Sequence, residues 1–334
     1  MIVVFDTNVW KSQVYLQSPQ AAAVRFYLQH IGAKVGLPEV IKREVTSHLK
    51  KDVRKLISGL KSDYGRLLGI VGTLKELVLP DNIDFTGIAD RLFATVGVPI
   101  VDVSFSFPSA EASFNKIIEG LPPSRTDQQF KDGVIWADCI SLLQANDVIL
   151  VTNDRAFYED QQIDKGLASA LALEIAGLPH KFTILSELGK LLKDIRGQVT
   201  IDHEQIASSW QPMLSESVRN LLSNNGYRLG ELIKTTPRLF ATEQPTILFI
   251  EFHAEYNCPA LDEAAAPAVL TIGGDCRYNS MSKTVDQFRP QREELIIPLP
   301  DGTETRKNVI LAASTVYLGH RNISHTARFE LSED

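Results

Sequence analysis

Four carboxylates in the first half of the chain stand where hydrolytic chemistry could be assembled. Asp6 ends the apolar run Ile2-Val-Val-Phe5, and Asp154 follows Val148-Ile-Leu-Val-Thr-Asn153. Short apolar runs of this kind read as buried strands, and parallel neighbours would carry both acids to one sheet edge. Glu44 and Asp132 lie on segments of helical spacing that can lean over the same edge. Gathering acids is costly, because two unit charges about 4 Å apart repel by roughly 4 kcal/mol at an effective dielectric near 20. A hard divalent ion with oxygen ligands, Mg²⁺ or Mn²⁺, removes that penalty.

Asp138 is a rival to Asp132 on the same segment. Six residues at about 100° each leave the two side chains roughly 120° apart around a helix, so both cannot point straight into one site. Asp132 is preferred for its Lys-Asp-x-x-Ile-Trp setting, and Asp138 is kept as a supporting acid. Asp127 reads as a helix cap and Trp136 as core. Other chemistries lack their parts: no GxSxG elbow, GxxxxGK[ST] loop or GxGxxG turn occurs. A phosphatase using a nucleophilic Asp needs a second Asp two residues on, where Asn8 stands. Cys139, Cys258 and Cys276 form no CxxC pair, and His253, His320 and His325 lack zinc-ligand spacing with them.

The elements that must position the acids alternate in type. Helical patterns cover 19–31, a long region from Pro38 to about Leu79, 84–96 and 108–120, with Val35 to Leu37 and 98–103 as short extended segments between them. TDQQFKDGVIWADCISLLQAN reads as a helix capped by Thr126 or Asp127. Helix 164–176, a strand in KFTIL and helix 185–196 follow. Such alternation implies an α/β layer architecture with a parallel sheet, whose ligands gather at the carboxyl ends of its strands.

FDTNVW, IKREV, KDGVIWADCISLL and VTNDRAFY together resemble the ordered acidic motifs of PIN-domain nucleases, in the branch with a KDxxIW helix and a VTND strand end. The resemblance covers about residues 1–160 and extends toward 195. It implies a PIN-like parallel sheet flanked by helices, with Asp6, Glu44, Asp132 and Asp154 as catalytic metal ligands and Asn8, Thr152 and Asn153 shaping the site. The implied activity is phosphodiester hydrolysis by metal-activated water, leaving 5'-phosphate and 3'-hydroxyl products. That route needs no 2'-hydroxyl, so RNA is favoured over DNA by the resemblance alone. The alternatives are a structure-specific DNA nuclease and a catalytically silent binding or regulatory module.

Nucleic acid must be gripped locally, since the net charge of the 334 residues is -7. Between 42 and 66 stand eight Lys or Arg against three acids. Lys42, Arg43, Lys50, Lys51, Arg54 and Lys55, with Arg155 beside Asp154, are the candidate phosphate contacts, against the plain reading of a solvated helix face. No apolar run approaches the roughly 20 residues of a membrane span, and the N-terminus has no basic leader, so a cytoplasmic location and no membrane partner are expected.

The texture changes after a helical pattern over SSWQPMLSESVRNLLSNNG. TILFIEFHAEY, PAVLTIG, ELIIPLP, NVILAASTVYLG and SHTARFEL are strand-like runs between turns, which suggests a smaller, mainly antiparallel β domain, arranged as a sandwich. The expected division is a nuclease domain at 1–197, a helical connector at 198–239 and a β-rich domain at 240–334. The last is open to homo-oligomerisation or a regulatory protein partner.

Overall fold

The computed structural model describes residues 1–80, 82–125, 129–199, 201–262, 264–308 and 331. The chain divides into two compact units, Met1–Gln198 and Val199–Asp334. In the first unit the strands are β1 (Ile2–Phe5), β2 (Lys34–Pro38), β3 (Ile100–Val103), β4 (Val148–Val151) and β5 (Phe182–Leu185). They form one sheet in the order β3-β2-β1-β4-β5, with every neighbouring pair parallel. All residues of β1 and β4 are buried, as expected of strands covered on both faces.

The helices of this unit are α1 (Thr7–Ser12), α2 (Pro19–His30), α3 (Glu39–Val71), α4 (Phe85–Ala94), α5 (Phe107–Glu119), α6 (Phe130–Leu143), α7 (Ser169–Ile175) and α8 (Leu188–Arg196). α2 packs on α8 and α5 on α6, while α3 touches α1, α4 and α6. Local chemistry sets their starts: Ser18 caps α2 and Pro19 opens it, Ser106 caps α5 before Pro108, and Asp84 caps α4. The long helix stops short of the expected Leu79. Gly72 adopts φ 82°, its N–H donating to Leu68 O at 2.8 Å, and this left-handed residue ends the helix. The expected helix 164–176 likewise begins only at Ser169, after Gly166 at φ 77°. Thr126 and Asp127, the expected caps of α6, lie outside the described residues.

Gly133 makes the α5–α6 contact. A Cβ there would stand 2.3 Å from Ser113 Oγ and 3.0 Å from its Cα, so only glycine lets α6 approach α5 this closely while carrying Asp132 in its first turn.

In the second unit α9 (His203–Trp210) and α10 (Glu216–Asn224) precede β6 (Leu232–Thr235), β7 (Arg238–Ala241), β8 (Ile247–Cys258), β9 (Ala268–Asn279), β10 (Thr284–Pro298) and β11 (Glu304–Asn308). The single helix expected over 208–226 is broken: Pro212 lies in a short 3₁₀ turn, and Ser215 caps a fresh helix by accepting from Val218 N. Residues 199–239 of the segment expected as a connector fall in this unit, with β6 and the start of β7 among them. Among the described residues the strands make one antiparallel sheet, β11-β10-β9-β8-β6 with β7 also on β8, rather than a sandwich.

Burial alternates along β8, with Ile250, Phe252, Ala254, Tyr256 and Cys258 inward and Glu251, His253 and Glu255 outward. α9 packs on the sheet, and its Trp210 stacks on Phe252 at 4.2 Å between ring centres. One face is thereby covered by helices from the same unit. Most of NVILAASTVYLG and SHTARFEL, with His320 and His325, falls outside the described residues.

The glycines give opposite expectations. Gly133→Ala should destabilise the protein by about 1–3 kcal/mol through overpacking, whereas Gly59→Ala and Gly65→Ala, which meet nothing within 4 Å on exposed helix, should stabilise it by up to about 1 kcal/mol. Urea unfolding of the three variants measures both signs.

Candidate nuclease site

In the order β3-β2-β1-β4-β5 the chain reverses its direction of travel between β1 and β4, and the crevice at such a switch point is where α/β sheets bind ligands. The register is level: Phe5 pairs with Val151, and Asp6 N donates to Val151 O at 3.0 Å. Asp6 therefore leaves β1 beside the end of β4, and Asp154 follows three residues beyond that end.

Asp6 is only 5% exposed. Its Oδ2 accepts the Thr152 hydroxyl at 2.7 Å, and Thr152 Oγ1 in turn accepts from Asp154 N at 3.0 Å. One buried threonine thus ties the two strand-end acids together. Tyr158 Oη donates to Thr152 O at 2.7 Å, and Asp154 Oδ1 accepts from Ala156 N at 2.9 Å. Those bonds fix the turn that follows β4.

Glu44 reaches the site from the second turn of α3. Its Oε2 accepts from Thr7 Oγ1 at 2.9 Å, its Oε1 pairs with the Lys131 ammonium, and His48 Nε2 stands 3.8 Å from the same oxygen. Burial pushes its pKa up, but the Lys131 and Thr7 contacts outweigh this and the net shift is downward. Asp132, half-buried in the first turn of α6, is pushed up to about 7 by burial first, then by the charges of Asp154, Asp6 and, less strongly, Glu44. Burial also raises Asp6, to about 6, against the bonds from Thr152 and Thr7, with Asp154 and Glu44 adding repulsion. The four acids thus sense one another's charge across a single crevice.

Residues 3–157 match the family model of the PIN domain. The first unit carries a PIN domain. Its parallel sheet is the nuclease fold of that family, which is typically metal-dependent. No curated protein and no solved structure gives a significant match.

Around this PIN-domain crevice the remaining candidates separate. Asp138 is 2% exposed, and its Oδ1 accepts from Ser109 Oγ at 2.8 Å on α5. It braces that helix, with burial holding its pKa near 6, and shares no hydrogen bond with the four acids. Trp136 is core, edge-on to Phe182 and donating to Glu174 Oε2 at 2.9 Å. Asn8 and Asn153 are exposed, as is Arg155. Lys42 and Arg43 are engaged by Asp90 and Glu39. Lys51 joins Glu44, His48, Phe105 and Lys131 around a hollow of about 580 Å³, while Lys55 stays exposed one turn further along α3. Thr7 and Lys131 were not among the residues singled out from sequence, although both directly adjoin acids that were.

Among the described residues no three His, Cys, Asp or Glu side chains are spaced to hold a metal ion as they stand. Like charges favour separation, and Glu44 is engaged by Thr7 and Lys131. The donor set nevertheless fits a hard divalent cation. Its donors are oxygens, and burial together with neighbouring carboxylates opposes ionisation of Asp6 and Asp132.

This arrangement predicts an unusual pH dependence. Aspartates raised from 3.8 to about 6 and about 7 contribute stability that is full below the unfolded value and lost as pH rises through the folded one. In EDTA, Asp132→Asn should raise the melting temperature at pH 8 by roughly 2–4 °C, the change that about 1 kcal/mol makes in a domain of this size. At pH 5, inside the window between 3.8 and the folded value, the gain should be clearly smaller. Thermal unfolding at the two pH values measures the difference.

Proposed function

We propose that the protein is a metal-dependent endoribonuclease that cuts single-stranded or structured RNA at the β1–β4 crevice. The observation that carries this reading is the set of four mutually repelling carboxylates at the switch point of a PIN-domain sheet. Asp6, Glu44, Asp132 and Asp154 would hold Mg²⁺ or Mn²⁺. When bound, such an ion supplies Lewis-acid activation of the attacking water and neutralises charge at the phosphate.

The chain's own groups set the stage for that chemistry. Thr152 orients the Asp6 carboxylate and fixes Asp154 through its amide. Thr7 and Lys131 hold Glu44 ionised, as a ligand must be. Lys51 and Lys131 border the hollow beside Glu44 and would contact phosphates that flank the cut, with Phe105, 46% exposed, offering a face for a base.

Purified protein should cleave labelled single-stranded RNA in Mn²⁺ or Mg²⁺ and be silent in EDTA, with duplex RNA and single-stranded DNA as comparison substrates. Asp6→Asn and Asp154→Asn should each lower the rate by about 100-fold or more, the scale of losing one electrostatic contact to a developing charge. Cleavage that survives both substitutions sinks the assignment. Cleavage of DNA in preference to RNA would overturn the substrate class and keep the chemistry.

A further inference from the structure

Beyond Leu49 the long helix α3 leaves the core, since no residue after that position is buried. Its far part forms one wall of a second hollow, of about 680 Å³, lined by Lys50, Arg54, Ile57 and Lys61 from α3 and by Ile83 and Phe85 from the opposite segment. The volume falls within the roughly 300–1,000 Å³ of small-ligand sites. Positions 50, 54, 57 and 61 follow the 4-3-4 spacing of a single helix face.

The chemistry of this hollow is one-sided. Lys50, Arg54 and Lys61 are exposed, none is in an ion pair with a described residue, and no carboxylate is among its described lining residues. Lys50 and Arg54, one turn apart, repel each other, and Asp52 between them in sequence is engaged by the Tyr15 hydroxyl. Both lie over the Phe85 ring, the ammonium 6.0 Å and the guanidinium 5.7 Å from its centre. Ile57 and Ile83 add apolar wall, and Ser58 and Asn82 add hydrogen-bonding groups. Three cations with no carboxylate partner among the described residues, set around an aromatic ring and apolar wall, suit a ligand that is anionic on one side and flat on the other. A nucleotide within a single strand has that form.

Helix geometry relates this hollow to the acids. Lys50 and Lys61 lie about 9 and 26 Å along α3 from Glu44, and about 120° and 100° round its axis. At the stacked spacing of about 3.4 Å per nucleotide, that is roughly 3 to 8 nucleotides from the cut. We propose that this hollow is a second nucleic-acid site, holding successive backbone phosphates along Lys50, Arg54 and Lys61 and a base against Phe85. The protein would therefore favour strands long enough to span both sites. This inference rests on the nucleic-acid reading of the acid crevice.

The test is binding of full-length protein to fluorescent single-stranded RNA of about 4 and about 16 nucleotides, in EDTA, so that it does not depend on cleavage. Wild type should bind the longer strand at least about 10-fold more tightly, and Lys50→Glu with Arg54→Glu and Lys61→Glu should remove most of that preference while changing affinity for the shorter strand far less. The slope of log affinity against log salt should fall by about 2, the value for three phosphate contacts on a single strand. Phe85→Leu, which leaves charge unaltered, should cost several-fold on the longer strand, and Phe85→Tyr should restore it. Lys181→Glu with Lys190→Glu and Lys193→Glu, three exposed positions away from the hollow's lining, controls for net charge.

Equal losses on both lengths, or Phe85→Leu binding as tightly as wild type, would overturn the proposal. A protein that binds in this pattern but cuts nothing would refute the nuclease reading alone. One that cuts without length preference would refute the second site alone.

Discussion

The first unit is organised around carboxylates that would rather be apart. β1 and β4 pair in parallel with Phe5 level with Val151, so the strand ends bring Asp6 and Asp154 to neighbouring positions whatever their charges prefer. α3 and α6 then add Glu44 and Asp132 to the same edge. The repulsion is a matter of a few kcal/mol per close pair at a realistic dielectric. Against it stand the eight residues of the two strands, all buried, each contributing about 1.5–3 kcal/mol for a large apolar side chain. The hydrophobic strands win, and the acids stay together, with Asp6 raised to about 6 and Asp132 to about 7.

The cost is also spread unevenly. Glu44 is relieved by an ammonium and a hydroxyl, and its pKa falls. Asp6 has Thr152 and the Thr7 amide, which only partly offset its burial. Asp132 has less relief than Asp6, with Lys131 a weaker influence than burial and the charges of Asp154 and Asp6, and it rises further, to about 7. A ligand bringing positive charge would therefore gain most beside Asp132 and Asp6, the two acids that sit on facing elements across the crevice. The second unit is held together by apolar packing. Its sheet is held by one apolar face against its own helices, with Phe252 sandwiched between Trp210 and Phe288.

Much of this was legible in sequence because strand-end acids announce themselves. IVVF-Asp6 and VILVTN-Asp154 each couple a buried strand to a polar end, and periodicity sufficed for the order of elements in the first unit. What periodicity could not show was which contacts cross between distant segments. Thr7 meeting Glu44, Lys131 meeting Glu44 and Thr152 joining Asp6 to Asp154 depend on packing, although Thr7 and Lys131 directly neighbour acids in sequence and Thr152 stands two residues from one. Asp138 was separable from Asp132 by helical angle, but its partner Ser109 lies on another helix. In the second unit the strands were recognisable by alternation, as in β8, whereas the number of sheets depends on pairings that no local pattern specifies. Pro212 should have signalled the break between α9 and α10, since its ring clashes with the preceding turn of a continuous helix.

The length of α3 has no explanation in stability. Its packed stretch ends with Ile41, Val45 and Leu49, and the remaining residues to Val71 extend about 33 Å without one buried side chain. That stretch contains Gly59, Gly65 and Gly69, each costing about 1 kcal/mol against alanine in a helix interior, and Lys50 and Arg54 repel along one face. A helix selected only to hold the fold would end sooner or carry alanine and paired charges there. The contacts that do engage this stretch come from the segment that returns to the sheet: Tyr64 Oη donates to Lys75 O at 3.0 Å, and Phe85 lies beneath Lys50 and Arg54. These keep the exposed, cation-rich face in place without neutralising it. Local stability is given up along α3 where positive charge is displayed, and the charge begins nearly two turns beyond the acid that α3 delivers to the crevice.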